Sequence, residues 1–194
     1  MLGSAVRRAW IAALAGAVAA AGACGGDDSD GESTNTTTAS STSAPTTTLD
    51  EETQKEEAAT KAFLDYYEAF FTAAAEPVDP HLPELQRLMT GDQQRIVTRN
   101  LEDMRARGHA TRLPQGSKRR HDPRVVEAQT DGSVDVTSCE VDDSVVYQVD
   151  TGAVVNDDVV TNVISATLVE ERGQWKVTFS ERTKTSPGIV ECDI

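Results

Sequence analysis

The chain has 194 residues, a net charge of −14 and only 5% aromatic residues. So acidic a chain argues against binding nucleic acid or anionic headgroups, because both demand clustered Lys and Arg. Its length allows one domain of ordinary size with a core of its own once the N-terminal segments are set aside.

The first segment, residues 1–23, opens with Arg7-Arg8 and continues as an Ala-rich apolar run over 9–21, with small residues before Cys24. That is the layout of a cleaved secretory signal peptide. A transmembrane helix is the alternative, but a span needs roughly 20 apolar residues and this run is shorter and mostly alanine. A twin-arginine signal fits the residues after Arg7-Arg8 poorly.

Two cleavage rules overlap at its end. Ala21-x-Ala23 satisfies ordinary signal cleavage, which would leave a secreted protein. Ala21-Gly22-Ala23-Cys24 also resembles the lipobox of bacterial lipoproteins, with Ala21 where that family usually has leucine. The resemblance implies that the Cys24 thiol carries a diacylglycerol and becomes the new N-terminus. The protein is then expected on the extracytoplasmic face of the cell membrane, held there by its lipid. Loss of Arg7 and Arg8 with the signal takes the charge from −14 to −16.

Residues 24–47 are Ser-, Thr- and Gly-rich and too poor in large apolar residues to fold, so they are expected to form a disordered tether. A long polar tether suits a domain held at a membrane.

A single domain is expected over 48–194. Thr48-Leu49-Asp50-Glu51 fits a capping box, in which hydroxyl and carboxylate satisfy exposed backbone donors at a helix start. Ala59, Phe63, Tyr66, Tyr67, Phe70, Phe71 and Ala74 then fall on one helical face, and the helix should stop at Glu76-Pro77. Core packing is the first reading of this stripe and ligand lining the second. After a linker over 77–83, a short helix carries Leu85, Leu88 and Met89. A further helix starts at Thr90-Gly91-Asp92-Gln93, with Ile96, Val97, Leu101 and Met104 as its stripe and a glycine cap at Arg107-Gly108. Asn100 falls in the middle of that stripe, so its amide must find a backbone partner or line a cavity.

Residues 105–124 are locally basic around Lys118-Arg119-Arg120. A solvated loop, or an edge strand with gatekeeping charges, is the expected role. Docking against residues 127–171, which contain no Lys or Arg, is the alternative.

From residue 124 the period becomes alternating. Strands over 125–130 and 134–141 flank Asp131-Gly132, a strong hairpin signal. A second hairpin joins 159–170 to 174–183 across Glu171-Arg172-Gly173, with Trp175, Val177 and Phe179 on one face of its last strand. Asp142-Asp143 and Asn156-Asp157-Asp158 flank the stretch 145–155 and are read as turn residues, because neither has the spacing of a calcium loop.

If Cys24 is lipidated, Cys139 and Cys192 remain as a pair, and an exported pair is expected to be bonded. The bridge would close a loop of roughly 50 residues, worth about 4 kcal/mol in the chain-entropy picture, and pin the stretch 185–188 onto the sheet. A metal or redox pair lacks further His or Cys at ligand spacing. No metal and no cofactor is expected.

Helices followed by two long hairpins make an α+β fold, N-terminal helices packed on a curved antiparallel sheet. Together with the lipobox-like Ala21 to Cys24, the Ser/Thr tether, the aromatic helix around Phe63, Ser138-Cys139 before Asp142-Asp143-Ser144 and the Trp175-Lys176-Val177 strand, this resembles small lipoproteins of high-GC Gram-positive bacteria. It resembles in particular those built on the cone-shaped nuclear transport factor 2-like fold. That fold hosts enzymes, carriers and plain binding modules, so the likeness implies architecture more than activity.

Three classes of function follow. The first is a tethered, non-enzymatic domain that binds a small apolar ligand or lipid in its cone, with Tyr66, Tyr67, Asn100 and Trp175 as lining. The second is a module that presents its acidic half to an envelope protein. The third is a cavity enzyme of the isomerase or dehydratase kind, which needs a buried base. Against the last, Asp65 and Glu68 project to the wet side of their helix, while His81, His109 and His121 fall in expected loops without an acid beside them.

Overall fold

The computed structural model describes residues 47–194, with side chains from Glu51 onward. The expected signal peptide, nearly all of the tether, Cys24 and the Thr48 capping box lie outside those residues or side chains.

Three helices come first: α1 (Thr47–Ala74), α2 (Pro83–Arg87) and α3 (Gly91–Ala106). They are followed by β1 (His109–Arg112), β2 (Arg120–Ala128), β3 (Val134–Asp142), β4 (Val145–Gln148), β5 (Val154–Asn156), β6 (Val160–Glu171) and β7 (Gln174–Pro187). The fold is α+β, with helices packed against two antiparallel sheets. A four-stranded sheet has the order β2-β3-β6-β7, and a smaller one has the order β1-β4-β5. Among the described residues no helix is long and apolar enough to cross a membrane.

The core lies between α1, α3 and one face of the larger sheet. Phe63, Tyr66, Ala69 and Ala73 of α1 meet Val134, Val136, Ile164, Ala166, Leu168 and Val177 of the strands. Each fully buried large side chain of this set contributes about 2 kcal/mol by leaving water. The helix ends at Ala74 rather than at Glu76, and Ala75 makes a bridge to Thr111 before the Glu76-Pro77 bond.

The hairpins form where alternation and turn chemistry place them. Asp131 closes the β2–β3 turn by accepting from Ser133 N at 3.0 Å. Arg172 and Gly173 both have positive φ, 56° and 77°, which matches the two-residue turn that a twisted hairpin prefers. Gly108 ends α3 at φ 67°, and a Cβ there would lie 2.8 Å from the Gln148 amide nitrogen.

Residues 105–124 take the expected edge-strand role, since they contain β1 and the start of β2, each at the edge of its sheet. The stretch 145–155 folds as a short hairpin, β4 with β5. The C-terminal end needs correction. Residues 185–187 belong to β7 rather than to a loose tail, so the bridge between Cys139 and Cys192 pins residues 188–194 instead. That bridge is formed, with its Cα atoms 5.7 Å apart.

The last strand departs from simple alternation. A β-bulge at Thr178 shifts the register between Leu168↔Val177 and Thr167↔Phe179. An extra residue reverses which side chains face the helices. Trp175 and Val177 point into the core, Phe179 turns out to solvent at 47% exposure, and Ser180 and Arg182 come round to the helical side.

Candidate functional site

Two structures meet beside that bulge: an open groove and a buried polar row. The groove, of about 390 Å³, runs between α1, α3 and β7, and its walls include Tyr66, Tyr67, Phe70, Ile96, Asn100 and Arg182. A broader depression beside His81 and Arg95 is walled by exposed charged side chains, and another lies between Phe71, Pro77, Leu113 and Tyr147, with Thr111 in its wall.

Of the four expected lining residues, Tyr66, Tyr67 and Asn100 come together here. Trp175 does not. It is 8% exposed within the core, with the Lys55 ammonium 5.8 Å from its ring. Asn100 reaches the groove in an unexpected way, because its side chain is exposed and not aimed at the core.

The inward face of α3 is Gln93, Val97 and Leu101, so the helix is rotated from the expected stripe and Ile96 is left 44% exposed. Gln93 supplies the reason. Its Nε2 donates to the Tyr66 hydroxyl at 2.8 Å and its Oε1 accepts from Ser180 N at 3.1 Å. A buried amide satisfied at both ends is tolerated where an unpaired one would be costly.

Next to Tyr66, the Tyr67 hydroxyl shares a hydrogen bond of 2.8 Å with Ser180 Oγ. Burial holds the Tyr66 phenol up at about 12 and pushes that of Tyr67 further up. Both are neutral hydrogen-bonding groups at any ordinary pH.

Behind Tyr67 a row of polar side chains crosses the four strands in register: His121 of β2, Glu140 of β3, Asn162 of β6 and Thr185 of β7. Asn162 Nδ2 donates to Glu140 Oε2 at 2.7 Å, and Thr185 Oγ1 donates to Asn162 Oδ1 at 2.8 Å. The His121 and Glu140 side chains are 7% and 6% exposed, with Nε2 3.5 Å from Oε1. This overturns the expectation that His121 sits in a loop without an acid beside it. His81 also faces an acid, Glu102 at 3.7 Å, though both side chains there are exposed.

The His121 ring lies 4.4 Å from the Tyr67 ring and meets the edge of Phe63 at 5.9 Å. Among the described residues neither of its nitrogens has a hydrogen-bond partner, and Ser138 Oγ lacks one too. Burial, with some help from Arg119, lowers His121 to about 4, and burial also raises Glu140 above the usual carboxylate range. The imidazole is therefore uncharged at neutral pH, and burial disfavours charge on the Glu140 carboxyl beside it.

Arg182 closes this row toward the groove. Its guanidinium is 61% exposed and stands 3.9 Å from Glu140 and 4.0 Å from Asp142. Opposite, Arg119 packs over the Phe71 ring at 4.4 Å and donates to Tyr67 O at 3.2 Å. Its segment does dock on the acidic half, through Ser117 Oγ donating to Asp143 at 2.6 Å and through the Arg112 guanidinium 4.5 Å from the Tyr147 ring.

The acidic turns act as turns. Asp142 accepts from Ser144 N at 3.0 Å and Asn156 from Asp158 N at 2.9 Å. Among the described residues no three His, Cys, Asp or Glu side chains are grouped to hold a metal ion.

The signal for the polar row was present in the sequence. Glu140 shares the inward parity of Val134 and Val136, and Asn162 that of Ile164 and Leu168. Polar residues at core positions of two adjacent strands mark a buried network.

No family model matches the chain, and no curated protein matches it. Among solved structures, the intermembrane space region of the chloroplast protein ARC6 is similar over 66% of this chain and 95% of that one. The identity is 16% and the TM-score 0.47.

Proposed function

We propose that the protein is an exported, lipid-anchored binding domain of the nuclear transport factor 2-like kind that takes a small ligand in the groove between α1, α3 and β7. The observation that carries this reading is the groove itself. Tyr67 and Phe70 of α1 give it aromatic surface, α3 adds Ile96 and the amide of Asn100, and β7 adds Arg182 beside Glu181. Such a surface suits a flat, largely apolar molecule with one polar end. The hydrogen bonds of Gln93 and Ser180 hold the walls in place before any ligand arrives, which reduces the ordering cost of binding.

The core between helices and sheet is filled by the chain's own side chains, so a ligand is expected on the groove rather than deep in a cone. His121 and Glu140 meet the buried-base requirement of an enzyme, yet neither lines the groove, and this favours binding over turnover.

Two experiments test the proposal. Native mass spectrometry of the full chain with Cys24→Ala, purified from an oxidising compartment, should show retained small-molecule mass that Ile96→Trp displaces by filling the groove. Retained mass indifferent to Ile96→Trp, or a bare protein under conditions that keep weak ligands, would count against it. For the anchor, the wild-type chain should fractionate with membranes and Cys24→Ala should not; unchanged fractionation sinks the lipidation.

A further inference from the structure

Among the described residues Arg182 is the one cation on the groove wall, which also carries Glu181, and its grip on the protein is loose: two carboxylates at 3.9 and 4.0 Å, with 61% of the side chain in solvent. The nearer carboxylate, Glu140, is asymmetric. Oε2 receives the Asn162 amide at 2.7 Å and faces Arg182, whereas Oε1 faces His121 Nε2 at 3.5 Å. That nitrogen is buried without a hydrogen-bond partner among the described residues. An uncharged imidazole nitrogen beside a carboxylate oxygen is a place for one proton. Taken from solvent, the proton forms an O–H bond on Oε1 that donates to Nε2, and the Glu140 charge is cancelled without creating a buried cation.

We propose that the groove binds a small organic anion, and that proton uptake by the Glu140–His121 pair strengthens this binding by releasing Arg182 from one of its two carboxylates. The inference rests on the groove reading and adds to it a ligand class and a means of control.

The groups around the pair agree with this. From α1 come the neutral phenol of Tyr67 and, through Arg119, Glu68 at 3.3 Å. The segment before β2 brings Arg119, β3 brings Asp142, β6 brings the uncharged Asn162, and β7 brings Arg182. Arg119 is engaged by Glu68 and by Tyr67 O, so Arg182 is the cation whose balance changes. Burial disfavours a charge on either member of the pair, and this directs the first proton to Glu140 rather than to His121. By linkage, an anion that prefers the protonated form must in turn draw a proton onto the pair.

The test uses the full Cys24→Ala chain and two fluorescent probes of one ring system, the anion anilinonaphthalene sulfonate and the neutral N-phenylnaphthylamine. Neither probe changes charge over the range used. Between about pH 7 and about pH 5 the affinity for the anion relative to the neutral probe should rise by about 5-fold or more, the lower end of typical coupling. Glu140→Gln places an uncharged amide donor against His121, and it should bind the anion at the higher pH as the wild type does at the lower, with the pH dependence gone. Asp142→Asn also unburdens Arg182, so it should raise anion affinity at both pH values, with the pH dependence kept but moved to lower pH because the Asp142 charge helps to raise Glu140.

A wild-type ratio that does not move with pH, or a slope that persists in Glu140→Gln, overturns the proposal while leaving the groove reading in place. Binding of neither probe at either pH, or binding that survives Ile96→Trp, defeats the groove reading and the proposal together. Near-ultraviolet circular dichroism at both pH values confirms that the probes report the folded protein.

Discussion

Gln93 and Tyr66 are joined by a buried hydrogen bond, amide nitrogen to phenol oxygen at 2.8 Å, and the other end of the same amide holds Ser180 of β7. One side chain of α3 thereby fixes its two neighbours and sets the width of the groove between them. Gln93→Leu removes both partners' bonds and leaves a buried hydroxyl and a backbone N–H unsatisfied. The expected cost is about 2 to 6 kcal/mol, from two groups at the usual penalty each. Urea unfolding measures it, and a change under about 0.5 kcal/mol would contradict the assigned role.

His121 makes stability fall in acid. Its ordinary value of 6.5 is lowered to about 4 in the folded protein. The unfolded chain therefore takes a proton first, and stability present above about pH 6.5 is lost as the pH drops toward about 4. The shift corresponds to about 3 kcal/mol at completion. Glu140 acts in the opposite sense, because its raised folded value gains stability as the pH falls through it. His121→Phe should therefore show less acid loss than the wild type, with the difference opening just below about pH 6.5. Melting temperatures across that range check this, and parallel curves would refute it.

These two residues show what the sequence made legible and what it did not. Helix and hairpin patterns placed α1, α3, β3, β6 and β7, because each is long and strongly periodic. A wheel centred on Ile96, Val97, Leu101 and Met104 puts Asn100 mid-stripe and leaves Gln93 outside it. The helix instead rotates toward the residue whose two partners, Tyr66 and Ser180, lie on other elements. Phe179 and Ser180 exchanged faces because a bulge at Thr178 carries no local signal. His121 falls in the basic stretch 105–124, ahead of the alternating pattern that starts at residue 125, whereas β2 begins at Arg120. Its acid partner became visible only once β2 and β3 were paired.

The bridge between Cys139 and Cys192 spans 53 residues of chain, and opening it should cost about 4 kcal/mol if the unfolded chain alone responds. Reduction, or the double change Cys139→Ser with Cys192→Ser, should also release residues 188–194, which reach β6 through Gly188 O on the Thr161 hydroxyl at 2.8 Å. Hydrogen exchange reads both effects. Full protection of Val190 N–H after reduction would contradict the pinning role.

Arg119 is expected to matter as a fork and a flat surface rather than as a charge. It covers Phe71, donates to Tyr67 O and keeps 13% of its side chain exposed. Arg119→Ala should destabilise by about 1 to 2 kcal/mol, and Arg119→Lys should recover less than half of that, because an ammonium supplies neither the stack nor the fork. Thermal melts of both variants decide it, and a lysine variant equal to wild type would show that charge alone suffices.

The central claim is that a ligand occupies the groove between α1, α3 and β7. The most direct measurement is chemical-shift mapping of the isotope-labelled Cys24→Ala chain on addition of N-phenylnaphthylamine. The account predicts perturbations gathered at Tyr67, Phe70, Ile96, Asn100, Ser180 and Arg182, and lost in Ile96→Trp. Perturbations gathered instead around the exposed Val154 and Val155 of β5, or none at all, would contradict it.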